Sequence, residues 1–158
     1  MKKLIATFGG IGMIPGMPGT YASFAAALVF YIAWRAMGAD VRFVIAGLTL
    51  LAVAIAPAGW KWAHENFKSA DPRQYVLDEV IGQWIALLCI PLEGPVPAYV
   101  AGAFFLFRGF DIAKPWPIRR IEAIKGCWGA ILDDVAAGVF SVAGFWLLNF
   151  AVRALAGG

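Results

Sequence analysis

The chain of 158 residues is 61% hydrophobic and only 15% charged, with a mean hydropathy of +0.75. A soluble domain is nearer half apolar and a quarter charged, so this composition excludes an ordinary soluble fold and points to an integral membrane protein. The net charge of +3, from 13 basic and 10 acidic residues, suits an anionic bilayer surface, and two cysteines are too few for a disulfide framework.

Lys2 and Lys3 open the chain ahead of an apolar stretch, as in a signal peptide. Gly9, Gly10, Gly12, Pro15, Gly16, Pro18 and Gly19 break that stretch before any cleavage site, so it reads as retained. The first helix is expected from near Thr20 to near Met37, and the uncharged run 43–60 is long enough for a second span. Residues 61–79 read as a polar loop. The runs 80–92 and 94–107 are split by Glu93-Gly94-Pro95. Each reaches roughly 20 Å at 1.5 Å per residue, against a hydrocarbon core of about 30 Å. They form two short spans, a re-entrant hairpin or one kinked span. A charged segment, 108–134, precedes a last span over 135–152. The expected fold is all-α: a multi-helical bundle of short helices with about four to five membrane-embedded segments, in a single membrane domain over residues 1–158. Nothing in it suggests a nucleic-acid partner.

With the N-terminus in the cytoplasm, Lys2, Lys3, Lys61, Lys68, Arg73, Arg108, Lys114, Arg119, Arg120 and Lys125 all face inward. Only Arg35, Arg42 and Arg153 then face outward. This asymmetry fits the positive-inside rule. It also brings the glycine-rich start, the acids near Asp78 and the charged segment to one face of the bilayer.

Three stretches there can carry chemistry. Asp78-Glu79, with Asp71 upstream, stands where a polar loop meets an apolar helix. A helix dipole alone favours carboxylates there, but ionisable groups at a membrane boundary are also functional candidates. Asp133-Asp134 stands just before the last span, where adjacent helical positions turn one side chain inward and one outward. Two acidic pairs at one face suit a divalent cation, and oxygen ligands without a His or Cys cluster favour magnesium over zinc. The single histidine, His64, reads as a solvated or interfacial loop residue. In the third stretch, 105–120, Arg108 and Asp111 share a helix face. Pro115 should end that helix at Lys114, and Arg119 and Arg120 follow. Such cations suit a phosphate group near a metal, or equally lipid head groups. Thr20 is a plausible N-cap with Ser23 three residues on, and the glycine-rich backbone before it can cradle an anion. Neither cysteine is followed six residues later by arginine, and no histidine or aspartyl phosphatase motif is present. Metal-activated water or an unassigned carboxylate nucleophile remains.

These blocks resemble the phosphatidylglycerophosphatase A family. The likeness lies in Gly16-Met17-Pro18-Gly19-Thr20 with Ser23, in Asp71-Pro72 through Asp78-Glu79-Val80-Ile81-Gly82-Gln83-Trp84, and in Phe107-Arg108-Gly109-Phe110-Asp111-Ile112-Ala113-Lys114-Pro115-Trp116-Pro117-Ile118-Arg119. It runs on to Gly129 and Asp133-Asp134-Val135-Ala136-Ala137-Gly138. Two departures, Gly126-Cys127-Trp128-Gly129 for Gly-Gly-x-Gly and Ala22-Ser23 for Gly-Ser, touch loop geometry rather than carboxylates. The resemblance implies a magnesium-dependent lipid phosphatase of the bacterial inner membrane, acting on a phospholipid substrate, phosphatidylglycerophosphate, from the cytoplasmic face. On that basis Asp78, Glu79, Asp133 and Asp134 form the expected Mg2+ set, some of them through water. Asp111 is a further ligand or orients Lys114 or Arg108. Arg108, Lys114 and Arg119 are expected to bind phosphate, with Thr20 and Ser23 beside them. A small membrane transporter is the rival reading, and it would need ionisable groups inside the spans 43–60 or 135–152.

Overall fold

A computed structural model describes residues 1–69 and 72–156. The described residues form helices joined by turns, with no strand among them. They are α1 (Lys2–Ala6), α2 (Pro18–Met37), α3 (Val41–Phe67), α4 (Leu77–Leu88), α5 (Val96–Ala113), α6 (Ile118–Glu122) and α7 (Cys127–Ala156), with 3-10 turns at Ile11–Met13 and Gly38–Asp40.

Local chemistry sets these boundaries. Pro18 occupies the first turn of α2, where its missing N–H costs nothing, and Gly38 ends that helix at φ 63°. Lys114 ends α5 in the left-handed region at φ 42°, directly before Pro115, as the sequence predicts. Three expectations are corrected. The second helix runs on to Phe67, so 61–67 is not loop and His64 is helical. Thr20 lies inside the first turn of α2, and Met17 is the N-cap. Helix α7 starts at Cys127, so Asp133 and Asp134 lie in its second turn rather than ahead of it.

The helical run Pro18–Phe67, which holds α2 and α3, is long and apolar enough to cross a membrane, and so are Val96–Ala113 and Cys127–Leu155. Their outer faces are apolar: Phe43 is 81% exposed and Phe150 72%. An aqueous surface would not carry such side chains in this number, whereas lipid accepts them. Between them lies α4, only about 18 Å long at 1.5 Å per residue. Nine of its twelve residues are buried. The ambiguity over 80–107 resolves into a short internal helix, α4, followed by a full-length one, α5.

Lipid tails are as apolar as leucine, so burial from water does not drive these helices together; close packing and polar contacts do. Gly82 of α4 and Gly138 of α7 let the two helix backbones approach closely. A Cβ on Gly138 would stand 2.6 Å from the Gly82 carbonyl oxygen, and one on Gly82 2.5 Å from that of Asp134. Indole N–H groups add bonds between helices: Trp84 Nε1 donates to Ala26 O within α2 and Trp146 Nε1 to Cys89 O just past α4, both at 3.1 Å. Arg42 donates to Ile90 O at 2.9 Å, closing the end of α4.

These contacts fix direction. Helices α2, α4 and α7 start at one end of the bundle, and α3 and α5 finish there. The ten cations expected to share one face gather at that end, and Arg35, Arg42 and Arg153 at the other.

Candidate active site

Asp78 and Glu79 occupy the first turn of α4, where backbone N–H groups lack helical partners and favour negative charge. Asp78 Oδ1 accepts from the Glu79 N–H at 3.0 Å. The Gly82–Gly138 contact locks α4 against α7 and carries Asp134 to the same point. One oxygen each from Asp78, Glu79 and Asp134 lies within 4.8 Å of the others. Asp78 and Asp134 are 7% and 4% exposed. Glu79 Oε2 and Asp134 Oδ1 are buried and find no hydrogen-bond partner among the described residues. Glycine at position 19 makes room for this cluster, because a Cβ there would collide with Glu79 Oε1.

Such crowding is unfavourable for bare carboxylates and favourable around a cation. The donor set fits a hard divalent ion: all oxygen, anionic, with lone pairs unspent. Asp71 lies outside the described residues.

Both expected phosphate-binding cations of the α5 end are held by acids. Arg108 Nη1 stands 2.6 Å from Asp111 Oδ2 and 3.4 Å from Ser23 Oγ on α2, while its Nε has no partner among the described residues. Lys114 Nζ donates to Asp133 Oδ2 at 2.7 Å and to Glu122 Oε1 at 2.8 Å. Burial alone would lower its pKa, but the hydrogen bonds and charges of Asp133 and Glu122 outweigh that and hold it above the ordinary lysine value. It therefore stays an ammonium at neutral pH. Asp133 Oδ1 also accepts from the Asp134 N–H at 3.1 Å. The two adjacent aspartates are both buried, contrary to the expected inward-outward split. They differ in partner: Asp134 joins Asp78 and Glu79, and Asp133 holds Lys114.

These groups open onto one cavity of about 840 Å³. Thr20 lines it. Ser23 is fully buried behind Arg108, and Arg119 is exposed on α6, outside the lining. Six carboxylates line the cavity (Asp78, Glu79, Asp111, Glu122, Asp133, Asp134) against four permanent cations (Arg73, Arg108, Lys114, Lys125). A cation joining the acids would offset whatever negative charge they turn toward an anionic substrate.

Several lining residues escape sequence reasoning. Trp60 and His64 stack at 5.0 Å on the last turns of α3, and Tyr75 reaches back to Ala56 O at 3.3 Å. Only the continuation of α3 past the uncharged run brings His64 here. Glu122 pairs with Lys114 across the Pro115–Pro117 turn, which no helical spacing connects. Gln83, one turn beyond Glu79 on α4 and outside the lining, is fully buried with both amide atoms unpartnered among the described residues. A polar residue within an otherwise apolar run was the available signal for it.

The model of the phosphatidylglycerophosphatase A family matches residues 4–149. A Bacteroides thetaiotaomicron protein provisionally named phosphatidylinositol-3-phosphatase is 39% identical, over 89% of each chain. The phosphatidylglycerophosphatase A of Escherichia coli K12 is 34% identical over 87% of this chain and 77% of its own. That of Haemophilus influenzae is 31% identical over 88% and 83%. No solved structure matches the chain.

Proposed function

Because the chain belongs to the phosphatidylglycerophosphatase A family and is a membrane phosphatase, we propose that it hydrolyses the terminal phosphomonoester of phosphatidylglycerophosphate to phosphatidylglycerol, a step of phospholipid synthesis, with magnesium as cofactor. The observation that carries this reading is the buried trio of Asp78, Glu79 and Asp134 with unspent oxygens, beside two acid-held cations in one cavity.

Asp78, Glu79 and Asp134 would hold the ion, directly or through its waters. When bound, the ion supplies Lewis-acid charge to the phosphoryl group and lowers the pKa of water. Arg108, with its free Nε, and Lys114, poised by Asp133 and Glu122, neutralise charge on the phosphoryl oxygens as the transition state forms. Asp111 keeps Arg108 extended across to Ser23, and Thr20 Oγ1, buried and unpartnered among the described residues, offers a further donor. Their partners already fix these side chains, so little ordering is left for the reaction step.

The test is phosphate release from phosphatidylglycerophosphate in detergent micelles, with magnesium and then with excess chelator. Release that magnesium supports and chelation stops is expected. No release from folded protein sinks the reading. Phosphatidylinositol 3-phosphate belongs in the same assay, because the 39%-identical relative carries that substrate in its name. Faster turnover of that lipid would move the substrate assignment and leave the site chemistry intact.

We further propose that the protein lies in the bacterial inner membrane, with the cavity facing the cytoplasm; the ten-to-three split of basic residues between its ends supports that orientation. Cys89 reports on this directly, being exposed at the end opposite the cavity, while Cys127 begins α7 at the cavity end. A membrane-impermeant maleimide added to cells with a permeabilised outer membrane should modify Cys89 and spare Cys127. The reverse pattern would invert the topology.

A further inference from the structure

An apolar groove of about 300 Å³ runs along the outer face of the bundle between α2 and α5. We propose that it seats one acyl chain of the lipid whose phosphorylated head group occupies the cavity, so that the substrate docks sideways from the bilayer between these two helices. The inference rests on the lipid-phosphatase reading above and adds where the lipid's tail lies.

The groove ends one helical turn from the site, although the two share no lining residue. Its upper end is formed by Phe24 and Phe104, whose rings meet edge to face at 6.1 Å. Phe24 follows Ser23 in sequence, and Phe104 lies one helical turn before Arg108. Ser23 and Arg108 are the pair that bridges α2 to α5 at 3.4 Å at the cavity's edge. The floor is apolar and lies below the helix surfaces, with Ala27 5% and Val100 8% exposed. From Phe24 to Tyr31 it extends about 10 Å at 1.5 Å per residue, some two-thirds of a leaflet of about 15 Å. A head group held by Arg108 and a chain laid past Phe24 and Phe104 therefore belong to one molecule.

The second apolar groove, between α5 and α7, has about 560 Å³ and makes the contrast. It shares Phe105 with the first groove and reaches Leu106, but runs from there past Tyr99 and Leu148 to Asn149 and Arg153, at the end of the bundle remote from the carboxylates. Most of its length lies away from the cavity, so bulk lipid is its expected occupant.

Ala101 lines the first groove and is exposed, so Ala101→Trp fills it without touching the core. Leu148→Trp does the same to the second. Both variants are compared with wild type on diacyl phosphatidylglycerophosphate and on the same head group with its acyl chains removed. Ala101→Trp is expected to lose on the order of tenfold in kcat/KM on the diacyl lipid, through KM. It should match wild type on the deacylated compound, and Leu148→Trp should match wild type on both. No loss on the diacyl lipid, or equal loss on both compounds, overturns the proposal. A second arm reads seating without turnover, using a diacyl lipid phosphomonoester with a diazirine in one acyl chain. It should label residues 24–31 and 97–105 several-fold more than phosphatidylcholine carrying the same probe. Equal labelling overturns the groove whatever the activity, whereas selective labelling without phosphate release retains the groove and overturns the reaction.

Discussion

Asp134→Asn is expected to lower phosphate release by about a thousandfold or more, the scale of losing a principal electrostatic element of a phosphoryl-transfer site. The substitution keeps the shape of the side chain and removes one of three anionic charges converging within 4.8 Å. Asparagine still offers one oxygen, but neutral, and the amide nitrogen it adds would face Asp78 and Glu79 rather than a cation. The folded state should not suffer: without a bound ion, removing one of three crowded buried carboxylates relieves repulsion. The variant's melting temperature in detergent with chelator should therefore equal or exceed that of wild type. Magnesium should raise it less than it raises the wild type, because binding to the native state stabilises in proportion to affinity. Turnover at the wild-type rate would remove Asp134 from the metal set. A variant that loses activity together with its fold would point to a packing role instead.

The second large effect concerns the backbone. Gly138→Leu should destabilise the bundle by about 3 kcal/mol or more, the upper range for overpacking. Even a single Cβ at this position stands 2.6 Å from the Gly82 carbonyl oxygen and 3.2 Å from Ile85. Neither neighbour can withdraw without separating α4 from α7. Since Asp78 and Glu79 sit on one of these helices and Asp134 on the other, Gly138→Ala should already depress activity while the protein still folds. Gly47→Ala is the control: a Cβ added there, on the lipid side of α3, meets nothing within 4 Å. It should melt at or slightly above the wild-type temperature, since alanine favours a helix over glycine by about 1 kcal/mol. Equal melting temperatures for Gly138→Leu and wild type would refute the close-packing account.

Much of this was legible in the sequence because local rules govern it. The three-residue spacing of Arg108 and Asp111 gives their ion pair, Pro115 stops α5 at Lys114, and Asp78-Glu79 opens an apolar helix. The charge count separated the two ends of the bundle before any helix was placed. What escaped depends on chain reversal or on a mismatch between two kinds of boundary. Uncharged runs measure immersion in lipid, whereas helices end where capping and proline end them. That is why α3 continues through Lys61, His64 and Glu65 to Phe67, and why α7 begins six residues before Asp133. The partnership of Lys114 with Asp133 and Glu122 joins α5, α6 and α7 around the Trp116-Pro117 turn, and no spacing along one helix encodes it. The division between neighbouring Asp133 and Asp134 likewise depends on which partner helix each one meets.

Beyond the cavity the described core holds no buried charged residue. Two buried hydroxyls lie within the long helices at mid-depth, and each is spent on its own helix: Thr49 donates to Ile45 O and Ser141 to Ala137 O, both at 2.7 Å. The buried charged residues of the described core all belong to the cavity. A transmembrane potential acts on a charge only by moving it through the field, at about 2.3 kcal/mol per elementary charge per 100 mV. Here the field falls across hydrocarbon that holds no mobile charge, and the reacting groups sit together at one edge of it. The bundle thus works as an insulator with chemistry on a single face. Turnover in sealed vesicles should be the same whether the membrane is energised or not.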